Sequence, residues 1–148
     1  MALQRTALFP GSFDPFTIGH LSILTRSAQI FDKIIVAVGI NENKKSMYSE
    51  TERLHKIKEA IKDITNAEVV SYHGLTVDAC KKYGAKYIIR GVRSFTDFEY
   101  EQHLADINRQ IADIETIILF TLPEHAAISS SVVRELNHYG YDTTKFLP

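Results

Sequence analysis

Ser12, Asp14, Thr17, Gly19 and His20 fall within twelve residues, Phe9–His20, reading FPGSFDPFTIGH. A Pro-Gly pair ends the apolar run Ala7-Leu8-Phe9, and a helical pattern starts at Ile18. This order predicts strand, tight loop, helix, with glycine and histidine in the first helical turn. The first turn of a helix carries unpaired N–H groups and a partial positive charge, which attract phosphate. Gly19 leaves the backbone open to close approach, and His20 adds a donor beside the anion. Such parts can hold a nucleoside triphosphate and stabilise charge while a phosphoanhydride bond breaks. Asp14 precedes a proline, so it fits a turn residue as well as a functional one.

Three further groups follow apolar runs. Lys44-Lys45 comes after Lys33–Ile40; Lys44 is the better phosphate ligand, although an ordinary solvated pair has the same spelling. Arg90-Gly91-Val92-Arg93 ends the run from Tyr87. It puts two permanently charged guanidiniums, which grip phosphate with two prongs, around a glycine; a structural salt bridge is the competing reading. Ile128-Ser129-Ser130-Ser131 opens another helix. One serine serves as its N-cap, and three together suggest a second phosphate site. His125, in the loop before them, could line a base pocket. His55, His103 and His138 lie in helical patterns and His73 in a loop, all expected to be structural. No spacing of His, Cys, Asp and Glu forms a protein-only zinc site, and no Ser-His-Asp set is present. Cys80 sits in an apolar helical setting and is expected in the core.

These groups need a scaffold that gathers them. Strand candidates are Thr6–Phe9, Lys33–Ile40, Glu68–Tyr72, Tyr87–Arg90 and Thr116–Leu122. KIIVAVGI is nearly all apolar and β-branched, as in a parallel strand covered on both faces. Helix candidates are Ile18–Phe31, Thr51–Lys62 with a Ser49/Glu52 capping box, Val77–Lys82 before Gly84, Asp97–Ala112 and Ser130–Tyr139. Alternating strands and helices predict an α/β fold: a Rossmann-like, doubly wound, parallel five-stranded sheet with helices on both faces, in one domain spanning residues 1–148. Ligands of such sheets sit beyond the strands' carboxyl ends, where strand order reverses. The chemical groups follow strands 1, 2, 4 and 5, as that rule demands.

Composition is consistent with this reading. The 148 residues are 45% hydrophobic and 24% charged, ordinary for a soluble globular protein able to build a core. A formal net charge of -1 gives no global field toward nucleic acid or anionic membrane. No apolar stretch is long enough to span a bilayer, and MALQRT does not read as a signal peptide. One cysteine permits no internal disulfide. A cytoplasmic protein is the expectation.

FPGSFDPFTIGH, NKKSMYS, IIRGVRSFTDFEYE and ISSSVVRE together resemble the phosphopantetheine adenylyltransferase family, over Thr6 to the end of the chain. T-x-G-H alone belongs to a wider nucleotidyltransferase superfamily; its combination with RGVRSFTDFEYE and ISSS is selective. The resemblance implies transfer of the adenylyl group of ATP to 4′-phosphopantetheine, giving dephospho-coenzyme A and pyrophosphate, with magnesium. It assigns transition-state stabilisation to His20, and the acceptor phosphate to Ser12, Lys44 and Arg90. The β- and γ-phosphates fall to Arg93, Ser129, Ser130 and Ser131. Gly11, Ser12, Phe13, His20, Gly91, Glu101, His125 and Ile128 would seat the nucleotide. Leu75, Leu104 and Asn108 would line the pantetheine arm, with Glu135 near its end. It also implies a homohexamer and coenzyme A as a possible feedback ligand.

Ser46 departs from the family's usual proline. His125-Ala126-Ala127 is small where an aromatic is common. Relatives often continue into a terminal helix past the position of Pro148, which would bear on assembly. The open alternatives are a related nucleotidyltransferase with another acceptor, such as a cytidylyltransferase or nicotinamide mononucleotide adenylyltransferase, and a nucleotide-binding module without catalysis.

Overall fold

The computed structural model describes residues 2–148. Five strands form one parallel sheet: β1 (Thr6–Gly11), β2 (Lys33–Gly39), β3 (Ala67–Tyr72), β4 (Tyr87–Val92) and β5 (Glu115–Phe120). Their spatial order is β3-β2-β1-β4-β5, so the winding reverses between β1 and β4. The connecting helices are α1 (Ile18–Ser27), α2 (Glu50–Ala60), α3 (Thr76–Tyr83) and α4 (Phe95–Ala112), and α5 (Ser130–His138) follows the sheet.

Side chains that alternate along each strand divide between two cores. On one face Ala7, Phe9, Ile34, Val36, Val38 and Ile89 pack with Leu24 of α1 and Ile57 of α2. On the other, Leu8, Ile35, Ala37 and Ile88 pack with Val77, Ala79 and Cys80 of α3. Ile34 through Val38 are all essentially inaccessible, the reason KIIVAVGI shows no polar alternation.

Helix ends follow local chemistry. The Ser49 hydroxyl accepts the Glu52 N–H at 3.2 Å while the Glu52 carboxylate accepts the Ser49 N–H at 2.7 Å, the expected capping box. Gly84 takes a left-handed conformation, φ 69°, as the α3 cap. α1 stops at Ser27, short of the expected Phe31. The chain tightens after Ser27, with the Gln29 N–H on Arg26 O (3.3 Å) and the Ile30 N–H on Ser27 O (2.9 Å), and the Asn66 side chain donates to the freed carbonyls of Ala28 (2.9 Å) and Phe31 (3.0 Å). Phe31 still enters the core.

The pairing of β1 with β4 covers only Ala7–Tyr87 and Leu8–Ile88, whereas β1 pairs with β2 as far as Gly11–Val38. The two strands separate toward their carboxyl ends. Pro10 lies in the diverging stretch. Its carbonyl points toward β4, where it accepts from Arg90 Nη1 at 2.8 Å. In a parallel strand the N–H of the same residue points the same way, and proline has none to offer.

Candidate active site

Two cavities open where β1 and β4 part, and Pro10, Gly11, Ser12 and Arg90 line both. One, of about 240 Å³, lies between the loop after β1, the start of α1, Arg93 and the start of α5. The other, of about 350 Å³, runs between α4 and the ends of β2 and β3.

His20 is the third residue of α1, and the sequence there folds as it does because His20 completes its cap. The Thr17 N–H donates to His20 Nδ1 at 3.0 Å, and the Thr17 hydroxyl accepts the His20 N–H at 3.4 Å. Histidine thus takes the position glutamate holds in an ordinary capping box. Since Nδ1 is an acceptor, the ring proton sits on Nε2. Phe16 stacks on the imidazole (5.4 Å, 28°) and Phe13 meets it edge-on (5.0 Å). Burial, reinforced by the Arg90 and Arg93 guanidiniums, pushes its pKa down to about 4. At neutral pH His20 is therefore a neutral, oriented N–H donor on the smaller cavity's wall.

The loop between β1 and α1 holds Phe13 at φ 48°, a conformation that costs a bulky residue roughly 1–3 kcal/mol. A Cβ on Gly11 would come within 2.8 Å of the Phe13 ring, so glycine is needed beneath it. Three side chains from elsewhere hold three carbonyls of this loop. Arg53 of α2 donates to Ser12 O (2.9 Å), Arg134 of α5 to Asp14 O (2.8 Å), and Ser130 to Pro15 O (2.8 Å). The buried Asp14 carboxylate accepts the N–H groups of Met47 (2.8 Å) and Tyr48 (2.8 Å). Asp14 is thus a strap between two loops, more than the local turn residue that Asp-Pro suggested.

Arg90 reconciles its two readings. Nε and Nη2 donate to the buried Glu101 carboxylate at 2.9 and 2.7 Å, and Nη1 reaches Pro10 O. Three of five N–H groups are used, and two remain for an anion in the cavities it lines. Arg93 pairs with Asp97 at 3.3 Å in a partly exposed contact and lines the smaller cavity. A Cβ on Gly91 would lie 3.0 Å from Ile23, so that glycine serves helix–strand packing. Gly19 has nothing nearer than 3.4 Å at the same point, and the space it leaves belongs to the cavity.

The smaller cavity gathers Gly11, Ser12, Phe13, His20, Arg90, Gly91, Arg93, Ile128, Ser129 and Ser130. The larger receives Glu101, Leu104 and Asn108. Lys44, Leu75, Ser131 and Glu135 are exposed and line neither, although Asn41, Gly74 and Thr76 beside them do. The three serines are not equivalent. Ser129 caps α5 through the Val132 N–H at 3.2 Å, Ser130 holds Pro15 O, and Ser131 accepts from Arg134 at 3.1 Å. His125 stands over Gly19 with a buried, unpartnered Nδ1.

Several contributors escape a sequence reading. Tyr72 and Thr76, joined by a 3.0 Å hydroxyl contact, form one wall of the larger cavity, and Thr116 contributes a buried, unpartnered hydroxyl. Arg53 and Arg134 look like routine charges on amphipathic helices. Their only sequence signal is basic character on faces that the helical period turns inward. Among the described residues, no three His, Cys, Asp or Glu side chains cluster as metal ligands.

A family model described as cytidylyltransferase-like matches residues 8–136. The chain is 49% identical over 145 residues to a phosphopantetheine adenylyltransferase of Flavobacterium psychrophilum, covering 98% of this chain and 96% of that one. It is 48% identical over the same length, with the same coverage, to the enzyme of that name from Phocaeicola vulgatus. The Leuconostoc citreum protein is 48% identical over 143 residues, covering 96% of this chain and 90% of its own.

Solved structures agree on the fold. A bifunctional NMN adenylyltransferase/ADP ribose pyrophosphatase of Francisella tularensis, complexed with AMP and a manganese ion, superposes with a TM-score of 0.74 at 16% identity, over 98% of this chain and 44% of that one. This chain thus spans under half of that protein. A lipopolysaccharide core biosynthesis protein of Thermoplasma volcanium gives 0.60 at 21% identity, over 81% of this chain and 98% of that one. Near-complete matches at almost half identity, on a site whose two cavities meet at Ser12 and Arg90, leave one assignment: the chain belongs to the phosphopantetheine adenylyltransferase family.

Proposed function

We propose that the chain joins the phosphate of 4′-phosphopantetheine to the α-phosphorus of ATP, releasing pyrophosphate and forming dephospho-coenzyme A. The carrying observation is the meeting of two cavities at Ser12 and Arg90, with His20 facing only the smaller. An acceptor phosphate oxygen attacks Pα in line, and the Pα–O–Pβ bond breaks with its electron pair leaving on pyrophosphate. The acceptor is already anionic, so no general base and no covalent intermediate are required. Catalysis reduces to positioning and to donors aimed at developing charge.

In this reading Ser12, Lys44 and Arg90 hold the acceptor phosphate. The His20 Nε2–H donates to the α-phosphate oxygens as negative charge builds there and on the leaving group. Arg93 with Ser129, Ser130 and Ser131 takes the β- and γ-phosphates. Gly11, Phe13, Gly91, Glu101, His125 and Ile128 seat the nucleotide. Leu75, Leu104 and Asn108 follow the pantetheine arm toward Glu135. Magnesium would accompany ATP and offset phosphate charge; among the described residues no cluster of three carboxylate, histidine or cysteine side chains would hold it.

The remaining proposals are a cytoplasmic, one-domain protein, a homohexamer, and coenzyme A as a feedback ligand sharing the arm cavity. No helix among the described residues is long and apolar enough to cross a membrane. Exposed Phe95, Ile107, Ile111 and Phe120 on α4 and β5 supply apolar surface for association, which light scattering measures. The deciding assay is pyrophosphate release from magnesium ATP and 4′-phosphopantetheine, beside CTP and nicotinamide mononucleotide controls. Release with ATP and phosphopantetheine alone is expected. Release with another pair moves the substrate assignment. ATP binding without turnover of any pair would make this a non-catalytic module.

A further inference from the structure

Asp14, Glu101 and Arg53 are the charged side chains buried below a tenth of their surface among the described residues. The first two are compensated: Glu101 by Arg90, Asp14 by two backbone N–H groups. Arg53 is not. It is 6% exposed, its Nη1 donates to Ser12 O at 2.9 Å, and its Nε is buried without a partner. None of the ion pairs among the described residues includes it. Burying a cation without a counter-charge is costly, and a fold that retains one gains when an anion arrives nearby.

The carbonyl that Arg53 grips belongs to Ser12, where the two cavities join. Its grip holds the Ser12 main chain opposite Arg90, across the opening between β1 and β4. Its uncompensated charge raises the positive potential from behind the loop, where solvent does not screen it.

We propose that Arg53 is a positioning residue for the acceptor phosphate: it anchors Ser12 from beneath and supplies buried positive charge that an anion at Ser12 neutralises. Arg53 touches no reacting atom. The proposal rests on the acceptor-phosphate reading given above.

The test uses Arg53→Gln, which keeps a donor without the charge, and Arg53→Lys, which keeps the charge without the fork. In Arg53→Gln the KM for 4′-phosphopantetheine rises about tenfold, while the KM for ATP stays within about twofold. In Arg53→Lys the acceptor KM rises about threefold, again with ATP unmoved. An acceptor-specific shift in either variant supports the role, so the lysine variant suffices if the glutamine variant does not fold. Equal shifts for both substrates, or no shift in any variant that folds, overturn it. Inorganic phosphate gives a readout free of the acceptor's identity. It raises the urea midpoint of the unsubstituted protein, and this rise shrinks in the variants. If phosphopantetheine proves not to be the acceptor, a lost phosphate effect still supports Arg53, and a full effect in both variants overturns it.

Discussion

The loops after β1 and β2 both send residues into the larger cavity, yet they are held very differently. The β1–α1 loop is buried from Phe13 to Thr17, and side chains of α2 and α5 grip three of its carbonyls. The loop from Asn41 to Lys45 is exposed, and its connection to the first loop runs through the Asp14 carboxylate. His20, the donor proposed to meet charge at the reacting phosphorus, stands on the pinned side, with little reorganisation left to undergo. Lys44 rides on the exposed side, where a long side chain can swing toward an arriving anion. On the proposed function, the difference separates a preformed electrostatic centre from a contact that substrate completes.

The sharpest way to break this division is His20→Ala. If the pinned side carries the chemistry, kcat falls about 10³-fold while ATP affinity by calorimetry changes less than about threefold. A parallel loss of ATP binding would reduce His20 to a ligand contact.

Acid sharpens it next. Burial holds the His20 pKa at about 4, below its unfolded value of 6.5. The unfolded chain therefore takes up this proton first, and the folded state loses stability as pH falls from about 6.5 toward 4. The loss approaches about 3 kcal/mol, all of it absent at pH above 6.5. Urea titrations of the unsubstituted protein and His20→Gln should diverge across that window; parallel curves would place the imidazole in a wet environment.

Asp14→Asn probes the strap. The amide retains one acceptor oxygen for two N–H groups, so the Lys44 loop loosens. Acceptor KM should rise about tenfold and stability fall by about 1 kcal/mol, with the ATP KM steady. A matching rise for ATP would show that the strap serves the pinned loop instead.

The smallest effect is expected from Thr116→Val. Removing a buried hydroxyl without a partner should stabilise the free protein by about 0.5 kcal/mol. If the arm reaches this depth, acceptor KM rises about threefold in steady-state assays. No change would end the arm above Ile88.

Much of this was legible in the chain. Unbroken apolar runs marked the parallel strands, and the clustering of Ser12, His20, Arg90 and Ser129 after strands marked the sheet's carboxyl edge. What remained hidden depends on distances between segments far apart in sequence. Arg53 sits among lysines and glutamates on α2, and only the packing of that helix against the first loop shows its burial. The serine triplet looked uniform, yet its hydroxyls serve a cap, a loop carbonyl and an arginine. The carbonyls left free past the end of α1 are met by Asn66, nearly forty residues downstream. Local patterns report which face is apolar; they do not report which polar atom meets which.

Pro10 carries a consequence for how the two strands part. Two strands that diverge can ordinarily zip together, exchanging the cleft between them for backbone hydrogen bonds. Here the edge turned toward β4 lacks its donor, and the carbonyl is already occupied by Arg90. Closing the strands would gain no donor at that position. Proline thus withholds one rung of the ladder that would close the cleft between β1 and β4.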